Sequence, residues 1–80
     1  MTFEFDLVAG GSELRFTERG FEQIRFLLSE FQPATRVTVE GEPPTRIRVQ
    51  AQGRPTIMAP GLLAQVEKLA GTTLRFELRT

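Results

Sequence analysis

The chain has 80 residues, of which 40% are hydrophobic and 25% charged, and its ten basic and ten acidic side chains cancel. It contains no cysteine, histidine, tyrosine or tryptophan, which excludes thiolate nucleophiles, imidazole bases and the usual nitrogen and sulfur ligands of zinc and copper. This composition is typical of a small globular protein, and the balanced charge gives no whole-molecule attraction for nucleic acid or anionic membranes.

The first predicted strand shows strict alternation of apolar and acidic residues: Phe3, Glu4, Phe5, Asp6 and Leu7. A period of two is typical of a strand with one buried face. Two glycines at positions 10 and 11 indicate a turn. Residues 13–16 then read as a short return strand.

A first helix is predicted from the N-cap residue Thr17 to about Phe31, with Glu18 in the first turn and Pro33 as the stop signal. Four apolar side chains recur at helical spacing and form a stripe that faces the sheet: Phe21, Ile24, Leu28 and Phe31.

The second half of the chain repeats this order. Residues 36–40 and 45–51 alternate as two strands, and the segment Gly-Glu-Pro-Pro at 41–44 connects them as a hairpin. Residues 55–58 are a short apolar segment that reads as a further strand or a loop.

A second helix is expected to begin at Pro60 and to end at Gly71, because proline is favoured in the first turn and glycine just after the last. Residues 72–79 form the last strand, with Leu74, Phe76 and Leu78 predicted to face inward.

The fold class is therefore α+β, with two helices on one face of a mostly antiparallel sheet of four to six strands. The apolar positions of the first half align with those of the second half at one constant sequence offset. This indicates either an internal duplication or two units that share the same pattern of apolar and polar residues. Two architectures remain open. The chain is (ββαβ)×2 if residues 13–16 and 55–58 are strands, and ferredoxin-like βαββαβ if they are loops.

A candidate interaction surface lies on the first helix, where Phe26 projects opposite the apolar stripe. Its polar neighbours on that face are Arg19, Gln23 and Glu30, together with Glu22. An exposed aromatic within a charged rim is typical of a protein contact. The alternatives are that loops of the same chain cover Phe26 or that it is an isolated exposed residue without a role.

A second candidate surface is the open face of the sheet, where the alternation places five arginines: Arg36, Arg46, Arg48, Arg75 and Arg79. Glu4 and Asp6 fall on the same face, so cross-strand ion pairs in contact with solvent are one interpretation. Docking of phosphate, RNA or an acidic segment is the other. Every strand phenylalanine alternates to the core side, so this face lacks the aromatic side chains that stack on bases.

Nine of the ten basic residues are arginine. This excess is typical of a GC-rich genome, and it also suits bidentate contacts to carboxylates or phosphates.

No catalytic, cofactor-binding or metal-ligating residue is predicted. Glu18 and Glu22 stand four apart, and Glu40 and Glu42 flank a turn, but charges are expected at a helix start and in a hairpin. No signal sequence or long apolar run is present, so a cytoplasmic protein without membrane contact is expected, folded as one domain over residues 1–80.

These observations favour a small non-enzymatic module for protein–protein interaction or dimerisation, which docks on another protein or on a second copy of itself. The alternative is an arginine-mediated binder of nucleic acid or an anionic ligand on the open sheet face.

Overall fold

The computed structural model describes residues 1–79 and shows an α+β fold with one four-stranded antiparallel sheet and two helices. The elements in chain order are β1 (Thr2–Ala9), α1 (Glu18–Phe31), β2 (Ala34–Glu40), β3 (Arg46–Gln52), α2 (Pro60–Ala70) and β4 (Leu74–Arg79). The strands lie in the order β2-β3-β1-β4, so β2 and β4 are the outer strands. This element order is the ferredoxin-like βαββαβ alternative.

Of the two alternatives for residues 13–16 and 55–58, the structure shows loops, because neither segment joins the sheet. The interpretation of residues 13–16 as a short return strand is therefore wrong. The backbone N–H of Leu14 donates to the carbonyl of Pro44 and that of Arg15 to the carbonyl of Ala70, each at 2.8 Å. These bonds go to different elements and do not form a ladder. One residue of each loop, Leu14 and Met58, is buried against the core instead, whereas Ile57 is exposed.

The predicted helix boundaries are confirmed. The Thr17 hydroxyl accepts a hydrogen bond from the backbone N–H of Gly20 at 3.0 Å, which satisfies one free donor of the first turn of α1. Pro60 is the first residue of α2, and Gly71 ends it with a left-handed backbone at φ 74°.

The core lies between the helices and one face of the sheet. Ile24 and Leu28 of α1 and Val66 and Ala70 of α2 are fully buried. They pack in one cluster with the inward side chains of the central strands: Phe3, Phe5, Leu7, Ile47, Val49 and Ala51.

Leu78 departs from its predicted inward position, because 44% of it is exposed. It lies near the end of β4, an outer strand, where one side of the residue has no neighbouring strand. Leu74 and Phe76 of the same strand do contribute to the core.

Candidate functional site: an arginine-rich sheet face and a groove between the helices

The face of the sheet opposite the helices carries the charged side chains that the alternation predicted. In its middle row, Asp6 of β1 lies opposite Arg48 of β3 on one side and Glu77 of β4 on the other. The register places the other predicted arginines on the same face: Arg36, Arg46, Arg75 and Arg79.

Asp6 is the centre of this face, and it is buried, with 1% of its side chain exposed. Asp6 forms the cross-strand ion pairs that one interpretation predicts, but the carboxylate itself is not in contact with solvent. Its Oδ2 accepts hydrogen bonds from Nη1 of Arg46 and, at 2.8 Å, from Nη1 of Arg79. Its Oδ1 lies 3.7 Å from Nε of Arg48, which is too long for a hydrogen bond. Three long arginine side chains therefore cover one short carboxylate.

Further ion pairs extend from this centre to the outer strands. Nη1 of Arg48 lies 3.1 Å from Oε2 of Glu40 on β2. Arg75 donates through Nε to Oε2 of Glu77 at 2.7 Å, both on β4. Four of the five arginines thus contact carboxylates, and three of them, Arg46, Arg48 and Arg79, do so across strands, as the cross-strand ion-pair interpretation predicts.

The pKa of Arg79 is raised above its ordinary value, first by the hydrogen bond to Asp6 and then by the negative charge of that carboxylate. A guanidinium is protonated at any ordinary pH, so this shift reflects the attraction between Arg79 and Asp6 and does not change the charge of Arg79.

A cavity of about 370 Å³ opens on this face beside β2, lined by Glu4, Arg36, Thr38, Val39, Glu40, Arg48 and Gln50. Within residues 1–79, Arg36 forms no ion pair, so its guanidinium is the one on this face that is not held by a carboxylate. Glu4 and Glu40 line the same cavity. An anion bound beside Arg36 would therefore also meet two negative charges.

The second candidate surface is a groove of about 410 Å³ on the outer side of the helices. Phe26 lines it and is 66% exposed, so the chain's own loops do not cover this ring. Leu27 of α1 and Leu69 of α2 are half-buried and form the rest of the apolar lining. We call this feature the Phe26 groove.

The rim of the Phe26 groove is polar, and it contains Arg19, Glu22 and Gln23. Glu22 forms an ion pair with Arg25, whose Nη1 lies 3.3 Å from Oε1 of Glu22. Glu30 lies on the same exposed side of α1 but does not line the groove. The structure therefore brings four of the five residues predicted for this surface to one site: Phe26, Arg19, Glu22 and Gln23.

Leu69 of α2 packs against the core and also lines the groove, and no sequence prediction included it in this surface. At 100° per residue it falls at the margin of the apolar stripe that Val66 and Ala70 define. Whether a residue at that margin is covered depends on how closely the neighbouring helix approaches. The exposed Phe26 was the only sequence signal for this site.

Within the described residues, no group of three or more acidic side chains is placed to hold a metal ion. Over the same residues, neither helix has the length and apolarity needed to cross a bilayer. Comparison with known protein families, curated proteins and solved structures found nothing that matches this chain.

Proposed function

We propose that this protein is a non-enzymatic protein–protein interaction module that binds a protein partner at the Phe26 groove. One observation carries the proposal: Phe26 is 66% exposed above an apolar groove that Leu27 and Leu69 complete. In protein interfaces, the residues that contribute most to binding are commonly aromatic side chains at the centre of the contact, surrounded by polar residues.

Energetics favour the Phe26 groove over the arginine-rich face of the sheet. When a partner covers an exposed phenylalanine, the apolar surface of the ring is removed from water. This favours association by roughly 25 cal/mol for each Å² buried. Four of the five arginines of the sheet face, by contrast, already contact carboxylates of their own chain. A partner on that face would have to compete with these pairs.

Site-specific photo-crosslinking tests the proposal directly. A photoreactive residue, p-benzoylphenylalanine, is placed at the position of Gln23 on the groove rim, in the cells that naturally make the protein. A matched control carries it at the position of Thr56, which is exposed in a loop. Adduct masses and peptide identities are read by mass spectrometry.

The expected result is a defined protein adduct from position 23, absent from position 56, which disappears when Phe26→Ala is added. An adduct that persists with Phe26→Ala, or no adduct specific to position 23, contradicts the proposal.

The second candidate function, binding of nucleic acid or an anionic ligand on the open sheet face, is supported by Arg36 and the cavity beside it. Its support is weaker because Glu4 and Glu40 line the same cavity. The test is binding to RNA and DNA oligonucleotides across a salt series, where phosphate contacts give a steep loss of affinity with salt. No binding at low salt, or binding unchanged by Arg36→Gln, excludes this function.

A further inference from the structure

We infer that the partner at the Phe26 groove is a second copy of this chain, with the two α1 helices packed antiparallel about a twofold axis. In this pairing Arg19 of each copy faces Glu30 of the other, and the two Phe26 rings pack near the axis. The inference rests on the proposed function and specifies its partner.

The spacing along α1 fits a twofold pairing. At 100° per residue, Arg19, Phe26 and Glu30 lie within an arc of about 40° on the exposed side of the helix. Arg19 and Glu30 are eleven residues apart, which is about 16 Å along the axis, with Phe26 between them. Twofold symmetry makes the same patch contact itself, and an antiparallel arrangement places the first turn of one helix beside the last turn of the other.

The charges at the two ends of α1 are complementary across that axis. Within residues 1–79, neither Arg19 nor Glu30 forms an ion pair. Glu22 and Arg25, which lie between them in the chain, are paired with each other. A second copy supplies an acidic group for each Arg19 and a basic group for each Glu30. The ten basic and ten acidic residues of the chain also leave no net repulsion between copies.

The helix macrodipole gives an independent reason to expect a partner at these ends. A helix N-terminus favours negative side chains and a C-terminus favours positive ones. Arg19 is in the first turn and Glu30 in the last turn of α1, and the last turn has no basic residue. Both charges are therefore placed unfavourably in an isolated helix. In the antiparallel pair each of them meets an opposite charge, and the two dipoles oppose each other.

The experiment measures solution mass by sedimentation equilibrium over a concentration series, for the full chain and four charge variants. Arg19→Glu and Glu30→Arg each place like charges at both contacts, so we expect the dimer dissociation constant to rise about tenfold or more. Arg25→Glu is the matched control. It makes the same charge change as Arg19→Glu on the same helix but points away from the pairing face, so it should leave the dimer unchanged.

Mixing provides the decisive comparison. An equimolar mixture of Arg19→Glu and Glu30→Arg chains has opposite charges at both contacts, so it should form a heterodimer, identified by native mass spectrometry. The double variant Arg19→Glu/Glu30→Arg should recover the homodimer. These two residues are too far apart within one helix to compensate each other inside a chain, so recovery must come from contact between chains.

A wild-type chain that stays monomeric at the highest concentration overturns the inference, and so does a mixture no more associated than either single variant. A dimer insensitive to Arg19→Glu and Glu30→Arg would assign self-association to another surface, such as the free edge of β4, and would also overturn it. If the chain is monomeric but position 23 crosslinks to a different protein, the proposed function stands and only this inference fails.

Discussion

Asp6 of β1 and Arg79 of β4 are joined by a 2.8 Å hydrogen bond, although 73 positions separate them in the chain. Asp6 is buried, and Arg46 donates to the same carboxylate oxygen. The contact therefore ties the first strand to both of its neighbours in the sheet. Removing a buried carboxylate from such a group leaves its arginines without the charge that holds them.

We expect Asp6→Ala to lower the free energy of unfolding by about 2–3 kcal/mol. This is less than for a fully buried ion pair, because the side chains of Arg46 and Arg79 remain about one-third exposed and solvent screens their charges. Urea denaturation followed by circular dichroism measures it. Glu4→Ala is the control, since Glu4 lies on the same face of the same strand and forms no ion pair within residues 1–79. That change should cost no more than about 0.5 kcal/mol. Equal effects of the two variants would show that Asp6 has no special structural role.

The second prediction concerns coupling between Asp6 and Arg46. Because Nη1 of Arg46 donates to Oδ2 of Asp6, the effects of Asp6→Ala and Arg46→Ala should not add. The double variant should be more stable than the sum of the two losses predicts, by about 1–3 kcal/mol, as residues in one ion-pair network commonly show. A double-mutant cycle from urea midpoints measures this coupling. A coupling energy within 0.3 kcal/mol of zero, about the scatter of additive pairs, would mean that the two charges act independently.

The burial of Asp6 could not be predicted from the alternation that placed it on the correct face. Alternation reports which face of a strand a residue occupies, and not what lies over it. Arg46 and Arg79 come from β3 and β4, and their positions depend on strand order and register. Those are properties of the folded sheet, set by contacts far apart in sequence.

The helices and the Phe26 surface were predictable because their signals are local. The cap residue Thr17 and the terminating Gly71 act within a few residues of the helix end. Phe26 is placed by the helical period alone. Residues 13–16 and 55–58 could not be resolved in this way, because a strand exists only where another strand is free to pair with it, and both segments lie outside the sheet.

The third prediction is that replacing glycine by alanine changes the free energy of unfolding in opposite directions at Gly20 and Gly71. Gly20 lies in the first turn of α1, and a Cβ there would meet its nearest neighbour, the Thr17 hydroxyl oxygen, at 3.4 Å. Gly20→Ala should therefore raise the free energy of unfolding by about 0.5–1 kcal/mol. Gly71 has φ 74°, and a Cβ there would approach the carbonyl oxygen of Arg15 to 3.1 Å.

Gly71→Ala should accordingly lower the free energy of unfolding by about 1–2 kcal/mol. Thermal denaturation of both variants beside the wild type measures the two shifts. A loss of stability in Gly20→Ala would indicate that α1 packs too tightly near Phe16 and Thr17 for a methyl group. A neutral Gly71→Ala would indicate that the chain can leave α2 without a left-handed residue.

The fourth prediction distinguishes the exposed face of α1 from its buried face. It compares the loss of a large exposed side chain with the loss of one buried methylene. Phe26→Ala removes a whole ring, but the ring is 66% exposed, so under dilute conditions the free energy of unfolding should change by no more than about 0.5 kcal/mol. Ile24→Val removes one methylene from a fully buried side chain and should cost about 0.5–1.5 kcal/mol. Urea midpoints at a protein concentration well below that of any self-association measure both changes.

For dimer formation, the relative effects of the two substitutions should be reversed. Phe26→Ala should weaken dimer formation in the sedimentation experiment, because the ring contributes to the contact, whereas Ile24→Val should leave it close to wild type. If Phe26→Ala is instead the more destabilising of the two, the ring contributes to the fold of its own chain. The groove would then be part of the core, and α1 would present no separate face for binding.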